Sequence, residues 1–231
     1  MKPRAFCPRY ELKPNITFAN SERLAATKYN IKIPSGLAGQ KLSAPEFVTY
    51  EKLKSLVKSK DTPKTLGLTY GLVTAEFDIS FPAKTTQWKA VDGGKYRQFQ
   101  GGTVNLDLKF GVYLWDYLKP KRQDEIGDKI FAIVMEHELL HVLDAVDVVS
   151  RWLPQKAYSD IQIKRLLSKG RPLPEKDYKH WIEKGNLTDW IENGYVNPEY
   201  NRRTAKRDSP AQYKAYSAKI NALTAERINQ P

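Results

Sequence analysis

The chain has 231 residues, 41% of them apolar and 28% charged, with a formal net charge of +12. That balance excludes a disordered chain, and a single Cys, Cys7, excludes an intrachain disulfide framework. No run of about 18 apolar residues occurs, which excludes a membrane-spanning helix, and the excess of Lys and Arg favours polyanionic surfaces such as nucleic acid, anionic lipid or an anionic cell wall.

Residues 1 to about 42 read as irregular chain, punctuated by Pro3, Pro8, Pro14 and Pro34. The basic stretch from Met1 to Pro8 is followed by no apolar segment, so synthesis in the cytoplasm without a secretory leader is expected. Action outside the cell would then need a dedicated export route. A helix is expected next, with Ser43 as N-cap, Pro45 in the first turn and Glu46 at N3 as a capping box. Phe47, Tyr50, Leu53, Leu56 and Val57 follow at helical spacing, to about Lys60. Two strands are expected after it. Phe77, Ile79 and Phe81 alternate with Asp78 and Ser80 ahead of Pro82, and Val104, Leu106, Leu108 and Phe110 alternate with Asn105, Asp107 and Lys109. Gly93-Gly94 and Gly101-Gly102 read as turns.

A long apolar helix is expected from about Gln123 to about Trp152, stopped by Pro154. Ile130 to Met135 precede its centre, and Val142, Leu143, Ala145 and Val146 follow. A helix that is apolar nearly all round belongs in a core. Beyond it the chain reads as short helices closed by Gly170, Gly185 and Gly194, with Trp181-Ile182-Glu183-Lys184-Gly185 echoed at Trp190-Ile191-Glu192-Asn193-Gly194. The last helix has Ser209 as N-cap, Pro210 at N1 and Gln212 at N3, and its apolar stripe is Tyr213, Tyr216, Ile220 and Leu223. The expected organisation is an N-terminal part, residues 1–154, holding the sheet and the apolar helix, and a helical C-terminal part, residues 155–231, packed with it as one unit.

Within the apolar helix stands His137-Glu138-Leu139-Leu140-His141. Residues i and i+4 share a helix face, so two imidazoles at this spacing can address one ion. In the H-E-x-x-H pattern the His pair binds zinc and the Glu is general base toward a water held by the metal. The chain has three His in all, and two fall in this register. Burying two His and a Glu in an apolar helix is costly without partners, and a metal supplies one. The candidate residues are therefore His137 and His141 as ligands of Zn2+ and Glu138 as the catalytic base.

Strands before this motif and helices after it resemble the zincin metallopeptidases. The resemblance implies an α+β zincin-like fold: a small mixed or antiparallel sheet, a long active-site helix and a mostly helical C-terminal part. It also implies peptide-bond hydrolysis.

A catalytic zinc needs a third protein ligand. Residues 137–147 resemble the metzincin pattern HExxHxxGxxH/D, which implies Asp147 as that ligand, as in snapalysin-like members. Asp144 stands where that pattern has its turning Gly, and no Met follows Met135 to supply a Met-turn. No Gly or Pro lies between Gly127 and Pro154, so a straight helix is the alternative. Asp144 would then share the His face about 10 Å along the axis from His137, better placed to accept an imidazole N–H than to bind the metal. The third ligand would come from the C-terminal helices, as in gluzincin-like enzymes, with His180, Glu183, Glu192 and Asp208 as candidates.

The basic clusters Lys119 to Arg122 and Arg202 to Arg207 accompany no nucleic-acid-binding signature, and read as solvated surface. The expected partner is a peptide or protein substrate: peptidoglycan peptides for an exported or phage-borne enzyme, or target-cell proteins for a toxin-like protease. The alternative is a basic nucleic-acid-binding protein in which zinc is a structural staple.

Overall fold

In a computed structural model, residues 10–58, 70–81, 87–121, 124–167 and 172–228 are described. The expected helix end at Lys60, Pro82, the helix start at Gln123 and the Gly170 cap lie outside them. The fold is α+β, with one six-stranded mixed sheet, a long central helix and helices toward the C-terminus. The strands are β1 (Tyr10–Phe18), β2 (Glu46–Val48), β3 (Gly71–Ser80), β4 (Gln87–Val91), β5 (Tyr96–Trp115) and β6 (Leu173–Pro174). β5 is the common partner of the other five.

The expected alternation in β5 extends further than Phe110. Val104, Leu106, Leu108, Phe110, Val112 and Leu114 are all buried, so one face of the strand is core along half its length. Gly93 and Gly94 do form the turn between β4 and β5, at φ 62° and 88°. Gly101 and Gly102 do not turn the chain; they lie inside β5, opposite an irregularity in the pairing of Gln87 and Trp88. A β-bulge at this point uses the φ of 132° that Gly101 adopts and side-chain-bearing residues rarely do. β1 departs from the irregular chain expected before residue 42. Its Pro14 is tolerated because the strand pairs only with β5, so one backbone edge needs no donor.

The helix expected from Ser43 starts later. Glu46–Val48 is drawn into parallel pairing with Tyr113 to Trp115 of β5, and α1 (Tyr50–Lys58) begins after it. Thr49 takes the capping role, its Oγ1 accepting the Lys52 N–H at 3.3 Å. Ser43 instead bridges Arg23 in a short antiparallel contact. The central helix, α2, spans Glu125–Asp147. Pro154 does not stop the helical path. A π-helical turn at Val148–Trp152 follows α2, and Pro154 sits in the first turn of α3 (Leu153–Ser159), where its missing N–H costs little.

Further on come α4 (Ile161–Leu167), α5 (Glu175–Tyr178), α6 (Asn186–Ile191), α7 (Asn197–Arg207) and α8 (Pro210–Ile228). Gly185 is left-handed at φ 73°, as a terminating glycine should be. Gly194 is not a cap; it lies inside a π-helical turn, Glu192–Val196, that runs on into α7. α8 begins at Pro210 as expected.

The chain falls into two compact units, each of three segments. The first comprises 1–16, 77–108 and 147–199; the second comprises 17–76, 109–146 and 200–231. The first unit holds a small apolar core void of about 20 Å³ bordered by Ile79, Leu106, Leu153 and Ile163. Its polar ties include Arg97 to Glu175 at 2.6 and 3.1 Å and Tyr195 to Asp160 at 2.7 Å. In the second unit the buried side of α2 presents Val134, Met135, Leu139, Val142 and Ala145, each at most 1% exposed. Phe131 of the same helix meets Tyr29 edge-on at 5.0 Å and Phe47 at 6.0 Å. Among the described residues no helix is long and apolar enough to cross a membrane.

Candidate metal centre

His137 and His141 lie one turn apart on α2, their rings edge-to-face at 4.9 Å. Asp208 reaches them from the turn between α7 and α8. Its Oδ1 is 3.1 Å from His137 Nε2 and 3.2 Å from His141 Nε2, and the two Nε2 atoms are 3.2 Å apart. Among the described residues this is the group whose donor atoms converge closely enough to hold a metal ion.

The donor set fits a cation. With both Nε2 atoms deprotonated, the two imidazoles and the carboxylate would aim three lone pairs at one space, which is favourable only with a positive charge among them. The triangle of 3.1–3.2 Å also approaches the ligand–ligand separation of about 3.3 Å that follows from tetrahedral bonds of about 2.0–2.1 Å. Burial would raise the pKa of the Asp208 carboxyl, but hydrogen bonds from His137 and His141 hold it well below the usual carboxylate range.

Glu138 is 4% exposed, in the turn that joins the two His. Burial pushes its carboxyl up to about 7; His137 opposes that shift and Asp208 adds to it. The space for it comes from Gly71, at the start of β3. A Cβ on Gly71 would lie 2.5 Å from Glu138 Oε1 and 2.7 Å from Leu114 Cδ2. Gly71→Ala is therefore expected to displace the Glu138 carboxyl or the Leu114 side chain and to lower stability by about 1–3 kcal/mol. Urea denaturation checks this, and unchanged stability would refute it.

Two further groups shape the site. Tyr216 of α8 stacks at 4.8 Å from the His137 ring, and its hydroxyl is buried without a hydrogen-bond partner. Burial pushes that hydroxyl far above its ordinary pKa, with Glu138, Tyr213, Tyr70 and Asp208 adding, so it stays a proton donor. Arg207 donates to both Asp144 oxygens, at 2.9 and 3.0 Å, and so fastens the residue before Asp208 to the helix that carries the His pair. Asp144 thus does not fix an imidazole as expected from its place on the helix. The Nδ1 of His141 is buried without a partner.

The other residues singled out in the sequence lie elsewhere. α2 runs unbroken to Asp147, so the bend that the HExxHxxGxxD pattern makes at position 144 is absent. Asp147 stands about 9 Å along the axis beyond His141 and accepts from Arg151 at 2.7 Å. Glu192 accepts the backbone N–H of Ile79 at 2.8 Å. His180 is exposed, lies 3.1 Å from the Asn186 amide, and packs against Trp181. Glu183 is exposed in the π-helical turn Lys179–Glu183. The sequence had placed Tyr216 only in an apolar stripe and Arg207 only in a basic cluster, and no local pattern marked Gly71.

Compared with known protein families, curated proteins and solved structures, the chain matches none.

Proposed function

We propose that this protein is a zinc-dependent peptidase of zincin-like construction, with His137, His141 and Asp208 as metal ligands and Glu138 as general base. The observation that carries the proposal is the convergence of three donor atoms within 3.1–3.2 Å beside the buried carboxyl of Glu138. Among the described residues three ligands converge, which would leave a coordination position open, the arrangement of catalytic rather than structural zinc. That feature weighs against zinc as a mere staple of a nucleic-acid-binding protein.

A bound Zn2+ supplies Lewis acidity, polarising a carbonyl and lowering the pKa of a water molecule to about 7. Glu138 takes the proton of the attacking water and delivers it to the leaving amine. Its low exposure keeps bulk water from competing for that proton. The Tyr216 hydroxyl, buried and without a partner in the protein, donates to the oxygen on which negative charge develops. Tyr216→Phe is accordingly expected to lower kcat about 100-fold with zinc content unchanged. A kcat within twofold of wild type would remove that role.

The test of the function has two parts. Metal analysis of the purified chain is expected to give one zinc per molecule, and hydrolysis of a quenched-fluorescence peptide panel is expected to stop on chelation and return with added zinc. A chain that takes up no zinc, or one that takes it up and cleaves no peptide, would overturn the proposal.

A further inference from the structure

The basic cluster from Arg202 to Arg207 borders a concavity. A pocket of about 240 Å³ opens at the α7–α8 turn, lined by Asp144, Arg202, Arg203, Lys206, Arg207 and Gln212. Four cationic side chains and one carboxylate line it. The single acid is already engaged at both oxygens by Arg207, which also pins that guanidinium in one orientation. Arg203 and Arg207 repel each other, as two cations brought to one concavity must. Basic residues in the last turn of a helix would offset its dipole at any exposed end. That effect requires neither a wall supplied by a second helix nor a pinned guanidinium.

We propose that this pocket is an anion subsite that takes a carboxylate side chain of the peptide substrate. The proposal rests on the reading of the adjacent centre as a peptidase. Asp144 follows His141 by one helical turn and Arg207 immediately precedes Asp208, so the pocket adjoins two of the three candidate ligands. An extended peptide advances about 3.3 Å per residue, so a side chain one or two positions from the bond held at the centre reaches the pocket. The volume suits one short acidic side chain rather than a stretch of nucleic-acid backbone, whose repeated phosphates call for a charged groove. Guanidinium groups bind carboxylates through paired, charge-assisted hydrogen bonds, and the Gln212 amide adds another donor.

The experiment is a titration of the zinc-loaded full chain followed by 1H–15N NMR, with N-acetyl-glutamate methylamide, N-acetyl-glutamine methylamide and inorganic phosphate as probes. The glutamate compound is expected to shift the backbone amides of residues 202–212 saturably, with a Kd at least about tenfold below that of the glutamine compound. The double variant Arg202→Gln/Lys206→Gln, shown by its dispersed spectrum to be folded, is expected to lose that preference. An equal response to both compounds, a response elsewhere in the chain, or a preference that survives the double variant overturns the proposal. Saturation by phosphate with no response to the glutamate compound overturns it too, in favour of a free-phosphate site. Hydrolysis of quenched peptides differing by one Glu for Gln separates the two readings. Glutamate binding at residues 202–212 with no peptide cleaved would sink the peptidase and keep the anion subsite. Equal cleavage of both peptides without glutamate binding would sink the subsite and keep the peptidase.

Discussion

Glu138→Gln is expected to lower kcat/KM for peptide hydrolysis by about three to four orders of magnitude and to leave one zinc per chain in place. The substitution keeps the size of a side chain that is 4% exposed and pressed against Gly71, so the helix and both His should hold their positions. What it removes is the group that accepts the proton. Activity within tenfold of wild type would exclude Glu138 as the base.

The same variant has a stability signature in the metal-free protein. Folding raises the Glu138 pKa from its ordinary 4.5 to about 7. Between those values the folded chain holds a proton that the unfolded chain has lost, so stability falls as pH rises through that window. The total is about 3 kcal/mol, fully expressed above pH 7, because the group is buried and little screened. Glutamine cannot ionise. The variant is expected to match wild type near pH 4 and to exceed it by about that amount at pH 8, read by urea denaturation of the two metal-free proteins. A variant no more stable than wild type at pH 8 would contradict the assigned burial of the charge. A dication bound beside it would favour the carboxylate and lower that pKa.

Asp208→Ala is expected to weaken zinc binding by on the order of a thousandfold, since it leaves two imidazoles and no carboxylate. Asp144→Asn should weaken it less, by about 10- to 100-fold, because it loosens the hold on Arg207 without touching a ligand atom. Asp147→Ala, which removes the partner of Arg151, should change affinity little. Competition with a fluorescent chelator measures all three. Wild-type affinity in Asp208→Ala, or a large loss in Asp147→Ala, would move the third ligand back along α2.

Parts of this architecture were legible in the residues. The period-two alternation of Val104 to Phe110 does mark a half-buried strand, and Ser209-Pro210 does precede the start of α8. Other parts were misread for identifiable reasons. Ser43 to Glu46 has the letters of a capping box, but Phe47 and Val48 are worth more as a strand beside Leu114 and Trp115 than as helix. Pro154 reads as a stop, yet a π-helical turn ahead of it absorbs the missing N–H. The candidate site divides along the same line. His137, Glu138 and His141 can be named together because helical spacing is a local property of five consecutive residues.

Asp208 could be named only as one of several acids, since it lies 71 residues from His137 and no local spacing relates them. The third donor depends on where α7 ends, on the Asp144–Arg207 pair that fastens that end to α2, and on α8 bringing Tyr216 against His137. The elevated pKa of Glu138 depends on Gly71, 67 positions away, because a desolvated carboxyl exists only once another segment has closed over it. The sequence by itself determined that two imidazoles and a carboxyl share one turn of a helix. The tertiary structure decided which carboxylate joins them, because that choice is made by the packing of segments far apart in the chain.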